Sequence, residues 1–232
     1  MLAATMPRRR GWTKAGRNAH LTDVASGRFI TLEGGEGAGK STQARRLAGR
    51  LSARGHRAVV TREPGGSGGA EKIRELLVTG AADRWSPMTE TLLVYAARRD
   101  HIERTIAPAL AAGDWVVSDR FADSTRAYQG AGGGVSGSLI QALERHVLGE
   151  TRPDLTLILD LPAEAGLARI AARKHAETRF EAKGEAFHQR LREGFLAIAR
   201  VESDRCAVID ATQDLDVVEA AIWAAVEARL AP

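Results

Sequence analysis

Short apolar runs alternate along this chain with longer amphipathic stretches. The apolar runs predict strands at Arg28–Glu33, Arg57–Thr61, Trp115–Ser118, Leu155–Asp160 and Arg205–Asp210. Apolar residues at helical spacing predict helices at Thr42–Arg54, Ala70–Val78, Ser86–Ala112, Ser136–Leu148, Pro162–Lys174, Glu185–Glu202 and Asp214–Leu230, with a kink or a break at Pro108. Strands that alternate with helices in this way predict an α/β fold, a five-stranded parallel sheet flanked by helices.

A glycine-rich stretch lies between the first predicted strand and the first predicted helix. It reads Gly34-Gly35-Glu36-Gly37-Ala38-Gly39-Lys40-Ser41 and fits the phosphate-binding pattern G-x-x-x-x-G-K-[ST] without a mismatch. Glycines let backbone N–H groups converge on a polyphosphate, and the helix N-terminus adds partial positive charge. Lys40 is expected to reach the outer phosphates, and the Ser41 hydroxyl to hold Mg²⁺. The predicted ATP-binding residues are the whole stretch from Gly34 to Ser41 together with Thr42.

Composition limits the class of protein. The chain has 232 residues, a length that suits one domain, and its single cysteine, Cys206, cannot form an internal disulfide, which fits the cytoplasm. Residues 1–27 hold five basic residues and one acidic residue, whereas the remainder holds 28 of each. We therefore expect a disordered basic extension followed by one domain over 28–232, with no nucleic-acid or membrane partner. An over-long gene start, with Met6 as a second candidate initiator, is one explanation of such an extension, and a transit peptide is the alternative to it.

Two predicted strands end in a carboxylate that is a candidate for the metal site of a phosphate-loop enzyme. Asp119 is the better candidate, because Arg120 follows it and an acid–arginine pair at a strand end can bracket Mg²⁺ and a phosphate. Asp160 is a second candidate, but it also suits a cap or turn before Pro162. The sequence thus favours Ser41 and Asp119 as the metal-binding pair.

A charged break between two predicted helices suggests how water is kept away from the phosphates. Residues 173–184 include Arg173, Lys174 and Arg179 and are expected to form a lid that closes over the transferred group. The alternative is a solvated charged loop. The guanine-reading N-K-x-D segment of GTP switch proteins is absent from the sequence, and a short chain with a phosphate loop and a basic lid suits a small-molecule kinase.

Several motifs in order resemble those of the thymidylate kinase family, from about Arg28 to the final helix. They are Leu32–Thr42, Thr61-Arg62-Glu63-Pro64-Gly65-Gly66, Tyr95-Ala96-Ala97-Arg98, Asp119-Arg120-Phe121, Asp123–Gly130 and Arg152-Pro153-Asp154-Leu155. The resemblance implies a P-loop NTPase fold, dTMP and ATP as substrates, Mg²⁺ as cofactor and a homodimer.

The resemblance also implies roles for individual residues. Glu36 is expected at the sugar hydroxyl of the acceptor nucleotide and Pro64 in the acceptor pocket, through a cis bond or a plain turn. Arg98 and Arg120 match arginines that bind the acceptor base and phosphate. Four further residues are expected to read thymine and to crowd the 2′ position of the sugar: Ser124, Thr125, Tyr128 and Gln129. Lys40, Asp119, Arg120, Arg173 and Arg179 are the predicted catalytic residues.

Two departures from the family pattern affect these expectations. The position four residues before Arg98, usually phenylalanine, is Val94, so that either Tyr95 replaces the missing ring or stacking on the base is weaker. The usual Asp-Arg pair of the lid reads Thr178-Arg179, and Lys174 is not equivalent to a second arginine.

The sequence therefore predicts an enzyme that phosphorylates dTMP to dTDP with ATP, in the synthesis of dTTP. A kinase for another nucleoside monophosphate (dUMP, UMP or AMP) and a non-catalytic ATP-binding module are the alternatives.

Overall fold

A five-stranded, fully parallel sheet forms the centre of the computed structural model, which describes residues 27–172, 178–181 and 183–232. Its strands are β1 (Phe29–Glu33), β2 (Ala58–Arg62), β3 (Trp115–Asp119), β4 (Leu155–Asp160) and β5 (Cys206–Asp210). Their order is β2-β3-β1-β4-β5, so that β1, which leads into the glycine-rich stretch, lies in the middle. The predicted five-stranded parallel sheet is confirmed.

Helices surround the sheet. They are α1 (Lys40–Ala53), α2 (Gly68–Val78), α3 (Pro87–His101), α4 (Ala107–Ala111), α5 (Ala122–Thr125), α6 (Gly137–Leu148), α7 (Ala163–Ala171), α8 (Thr178–Glu181), α9 (Glu185–Val201) and α10 (Leu215–Leu230). Two π-helical segments, Ile102–Ile106 and Arg126–Gly132, continue α3 and α5. Among the helices of the described residues, none is long and apolar enough to cross a membrane.

The core lies on both faces of the sheet. On one face, Leu32 and Leu157 belong to a cluster with Leu47 of α1 and Trp223 of α10. On the other face, Val116 packs with residues of α3 and its π-helical extension, and Ile158 packs with residues of α9. Because successive side chains of a strand point to opposite faces, burial from both sides requires the uninterrupted apolar strands seen in the sequence.

The local structure differs from the predictions in three places. The long third helix continues into a π-helical turn, and Pro108 lies at the start of α4, where its missing N–H is tolerated. The segment after Phe121, for which no helix was predicted, forms α5 and the second π-helical segment. A four-residue helix, α8, lies within the predicted lid, residues 173–184. Of the predicted basic extension, only Gly27 falls within the described residues.

Candidate active site

The glycine-rich stretch forms a tight loop between β1 and α1. Gly34, Gly37 and Gly39 have φ angles of 130°, 72° and 88°, a region that residues with a Cβ rarely adopt. A Cβ at Gly37 would lie 2.4 Å from the carbonyl oxygen of Gly166 in α7. Gly39 precedes α1 without a capping side chain, so the positive end of the helix faces the loop. The loop therefore has the form that polyphosphate binding requires.

Lys40 begins α1 and turns back over the loop. Its ammonium donates to the carbonyl oxygens of Gly35 (2.6 Å) and Gly34 (3.2 Å). Burial and the neighbouring Arg120 lower the pKa of Lys40 to about 8, although nearby carboxylates oppose this change. The ammonium is thus held by weak neutral acceptors, and an arriving phosphate would be a stronger partner for it.

Ser41 and Asp119 meet at the end of β3, where the Ser41 hydroxyl donates to a carboxylate oxygen of Asp119. The other candidate carboxylate, Asp160, is engaged elsewhere. It forms a two-pronged ion pair with Arg192 of α9, at 2.6 and 2.8 Å. The structure therefore places Asp119 beside the phosphate loop, whereas Asp160 neither lines the cavity described next nor caps α7.

A cavity of about 380 Å³ opens at the carboxyl ends of the central strands, where ligands of open α/β sheets bind. The predicted site residues that line it are Glu36, Gly37, Lys40, Ser41, Pro64, Arg98, Asp119, Arg120, Ser124, Thr125, Tyr128 and Gln129. The phosphate loop and the predicted acceptor residues therefore lie in the same cavity.

Glu36 is the centre of a charged cluster inside this cavity. Arg120 lies 3.3 Å from its carboxylate and the Tyr128 hydroxyl donates to it, while His188 of α9 lies 3.6 Å away. Burial alone would raise the pKa of Glu36, but Arg120, His188, Lys40 and Tyr128 together lower it to about 2. Glu36 is thus a fixed negative charge beside a phosphate-binding loop.

Arg98 is buried and is held in place by Glu63, the residue before Pro64. Its Nε donates to Glu63 at 2.7 Å, and one terminal nitrogen donates to the carbonyl oxygen of Phe121 at 2.9 Å. Glu63 also contacts His101, at 2.9 Å. The other terminal nitrogen, Nη1, is buried without a hydrogen-bond partner among the described residues. The peptide bond between Glu63 and Pro64 is cis, one of the two predicted forms.

The wall expected to hold the base contains polar and apolar side chains. Val94, Thr125 and Gln129 line the cavity. The Thr125 hydroxyl is buried without a partner among the described residues, and Gln129 donates to Glu90 at 2.7 Å. Tyr95 does not line it: the ring is 2% exposed and belongs to the core beneath α3. Replacement of the missing ring by Tyr95 is therefore wrong for this structure, because the next residue of a helix points to a different side.

The predicted lid is described only in part. Arg173 and Lys174 lie outside the described residues. Arg179 is buried between α2 and α3, where it donates to the carbonyl oxygen of Leu77 at 2.8 Å and pairs with Glu90 at 2.6 Å. It does not line the cavity, so its predicted catalytic role stays a prediction.

Several residues of the cavity were not predicted. Arg62 and Glu63 lie within a motif that was recognised, but only Pro64 was selected from it. Arg74 of α2 lines the cavity and donates to the carbonyl oxygen of Pro64 at 2.7 Å. Phe180 of α8 also lines it. Nothing in the local sequence distinguishes Arg74 from the other charged residues of α2, because its function depends on how α2 packs.

Comparisons with known proteins agree with this geometry. Residues 32–222 match the family model described as thymidylate kinase. A thymidylate kinase of Caulobacter vibrioides is 70% identical over 207 residues, covering 89% of this chain and 99% of the relative. Another, of Bradyrhizobium diazoefficiens, is 55% identical over 208 residues, 89% of this chain and 91% of the relative.

A solved structure is also similar. The crystal structure of a thymidylate kinase from Ehrlichia chaffeensis superposes with a TM-score of 0.70 at 35% identity, covering 87% of this chain and 99% of that one. The chain therefore belongs to the thymidylate kinase family, whose members are ATP-dependent nucleoside monophosphate kinases.

Proposed function

We propose that this protein transfers the γ-phosphoryl group of ATP to dTMP and so forms ADP and dTDP. The observation that carries the proposal is one cavity with two chemically different ends. Lys40 and Ser41 of the phosphate loop mark one end, and Arg98, Tyr128 and Gln129 mark the other. An oxygen of the acceptor phosphate attacks the γ-phosphorus while the bond to the bridging oxygen of ADP breaks, and no enzyme-bound intermediate is needed.

The donor end suits ATP. The residues Gly34 to Thr42 supply backbone N–H groups and the positive end of α1. When phosphate oxygens replace the carbonyls of Gly34 and Gly35 around Lys40, the anionic partner raises the pKa of its ammonium. The lysine therefore binds ATP in its charged form.

Ser41 and Asp119 fit a magnesium site. Mg²⁺ prefers oxygen ligands and commonly binds through one or two protein groups together with substrate phosphates, which is the donor set found here. Within the described residues, no cluster of three or more metal-ligating side chains exists, so phosphates would complete the coordination. When bound, Mg²⁺ neutralises charge on the phosphates.

Charge stabilisation during transfer comes from Lys40 and Arg120. Arg120 is held by the carbonyl oxygen of Gly34 (2.9 Å) and the Ser124 hydroxyl (3.2 Å), so its guanidinium is fixed between the two ends of the cavity. A preorganised cation at this place lowers the free energy of the charged transition state. The resemblance to the family adds Arg173 and Arg179 of the lid as further catalytic residues.

The acceptor end suits a deoxyribonucleotide. The hydroxyl of Tyr128 is fixed on Glu36. We expect the ring held there to crowd the 2′ position of the sugar and so to select against a ribose 2′-hydroxyl. Arg98 Nη1 and the Thr125 hydroxyl, both without a partner among the described residues, supply a donor and a donor–acceptor for the base. These unpartnered polar atoms favour a ligand with complementary polar edges over an apolar one.

A homodimer and a cytoplasmic location complete the proposal. Three exposed apolar side chains lie on the neighbouring helices α2 and α3: Leu76 (40% exposed), Met88 (45%) and Leu92 (50%). Such a cluster fits a self-association surface. The buried, unpaired Cys206 is consistent with the cytoplasm.

A substrate panel tests the proposed activity. Purified protein with ATP and Mg²⁺ is expected to release ADP faster with dTMP than with dUMP, UMP or AMP. Lys40→Ala should lower kcat by about a hundredfold or more, because it removes a preorganised charge from the transition state. Lys72→Ala, on the exposed side of α2, is the matched control and should keep full activity.

Two outcomes would contradict the proposal. Faster turnover of UMP or AMP would assign the protein to another monophosphate. ATP binding without ADP release for any acceptor would make it a binding module.

A further inference from the structure

The part of the cavity wall that Val94 forms has no aromatic ring. Val94 is aliphatic, and the neighbouring Tyr95 is directed into the core, where its hydroxyl contacts the carbonyl oxygen of Ile140 at 3.4 Å. Nucleobases bind well between flat apolar or aromatic faces. A ring for the base must therefore come from another part of the cavity.

Among the described residues, three aromatic side chains line the cavity: Phe121, Tyr128 and Phe180. Phe121 is 1% exposed and packs edge-on against Phe29, with ring centroids 4.9 Å apart. Tyr128 is fastened to Glu36, and the guanidinium of Arg120 lies 4.8 Å from the centroid of its ring. Phe180 is half-buried and comes from α8, where it packs against the edge of the cluster that contains Tyr128. Its ring is therefore the one left for the base.

The surroundings of Phe180 hold its ring in place. The Tyr128 ring meets it edge-on at 5.7 Å, and cations of Arg179 and Lys183 each lie 5.0 Å from its centroid. Both cations are in turn paired with Glu90, at 2.6 Å and 3.5 Å. Because Glu90 is buried, these ion pairs anchor α8 over the acceptor end of the cavity.

We propose that Phe180 is a specificity-determining residue of the acceptor site, where its ring packs on the base of the monophosphate and complements the small side chain of Val94. The inference rests on the proposed function, because it takes a nucleoside monophosphate as the ligand. The proposal gives α8 a role in acceptor binding, in addition to the role in phosphoryl transfer that is expected of the predicted lid. Glu90 and Lys183 then act as positioning residues that hold the ring.

Kinetics of two variants at position 180 test the assignment. In Phe180→Ala, we expect the KM and the Kd for dTMP to rise about tenfold, as when one stacking partner of a base is removed, while the KM for ATP stays within about twofold. Phe180→Leu keeps apolar volume without the aromatic face and should give an intermediate loss. Phe187→Leu is the matched control: Phe187 meets the same Tyr128 ring at 6.1 Å but does not line the cavity. It should lower Tm without changing the KM for dTMP.

A reciprocal substitution makes the test sharper. Val94→Phe in the Phe180→Ala background should restore most of the dTMP affinity, because a ring again reaches the base. The same substitution in the parent protein should bring no gain, because Phe180 already occupies that role. If dTMP affinity is restored in the double variant but is not increased in the single Val94→Phe variant, the two positions are coupled. A general loss of packing would not produce this coupling.

Failure of this inference and failure of the proposed function give different results. Calorimetric titration of dTMP measures binding independently of turnover. A parent protein that binds dTMP without phosphorylating it overturns the function but leaves the affinities of the variants to decide on Phe180. An active parent with an unchanged Phe180→Ala, or with a Phe187→Leu that loses as much dTMP affinity, overturns the role of Phe180. A parent that neither binds nor phosphorylates dTMP overturns both.

Discussion

Glu33 is a carboxylate in an unusual environment, fully buried at the end of β1 immediately before the phosphate loop. It accepts hydrogen bonds from the Phe121 N–H (2.7 Å) and the Ser124 hydroxyl (2.6 Å). Burial and the neighbouring Asp123 raise its pKa from 4.5 to about 7, although Ser124 and Arg120 pull in the other direction. Its charge therefore changes near neutral pH.

The raised pKa of Glu33 predicts a pH-dependent contribution to stability. The folded state binds this proton more tightly than the unfolded state, so the contribution is full below pH 4.5 and is lost as the pH rises to about 7. Glu33→Gln cannot ionise. The free energy of unfolding of the variant, relative to the parent, should therefore improve by about 1 kcal/mol or more between pH 5 and pH 8.

Denaturant unfolding at these two pH values measures the difference. A variant whose relative stability falls over this range would contradict the sign of the shift. Ser118→Ala, at another buried polar side chain near the end of β3, is a suitable control and should show no such trend.

At the level of single residues, the sequence predicted the groups whose role follows from a local motif. Lys40, Ser41 and Asp119 lie where the pattern and the strand ends indicated. Other residues of the site have partners that come from distant parts of the chain, and no local signal marks those partners. His188 beside Glu36 and Arg74 beside Pro64 are examples, as is Glu90, which binds Arg179.

At the level of elements, α7 packs directly on the phosphate loop. Gly166 of α7 leaves its Cβ position 2.4 Å from the carbonyl oxygen of Glu36, so the helix touches the loop backbone directly. Because a backbone atom cannot rotate away as a side chain can, even one methyl group would displace the loop.

Gly166→Ala is therefore expected to destabilise the protein by about 1–3 kcal/mol, the usual cost of overpacking, and to raise the KM for ATP several-fold. Gly49→Ala in α1 is the matched control, because nothing lies within 4 Å of its Cβ position. It should instead stabilise the protein by about 0.5–1 kcal/mol through helix propensity.

Thermal unfolding and ATP kinetics measure these effects. The same glycine-to-alanine change should lower Tm at Gly166 and raise it at Gly49. An unchanged Tm and an unchanged KM in Gly166→Ala would show that the loop does not depend on this contact.

The five strands could be predicted as short apolar runs, and the long helices from the helical spacing of their apolar residues. The π-helical segments could not. Ile102–Ile106 has the apolar spacing of the predicted third helix, whereas Arg126–Gly132, for which no helix was predicted, packs against α9 and α6. The short helix α8 was also missed, since four residues carry too little pattern to be recognised.

For the molecule as a whole, the proposed dimer makes one prediction. Leu92→Asp places a charge in the exposed apolar cluster of α2 and α3 and should convert a dimer to a monomer, because an unpaired charge is costly to bury. Val217→Asp is the control: Val217 is 53% exposed on α10, away from that cluster, and its substitution should leave the assembly intact.

Sedimentation velocity distinguishes the two states by mass. A parent protein that sediments as a monomer at micromolar concentration, or a Leu92→Asp dimer, would show that these helices do not form the interface.

The arrangement around Glu90 also links acceptor binding to the position of α8 thermodynamically. One carboxylate receives Gln129 from the acceptor side and Arg179 from α8. If Arg179 leaves Glu90, the carboxylate keeps Gln129 and Lys183 as partners, and the restraint on Gln129 changes. Because such coupling is reciprocal, an acceptor that engages Gln129 must change the free energy of displacing α8 by the same amount.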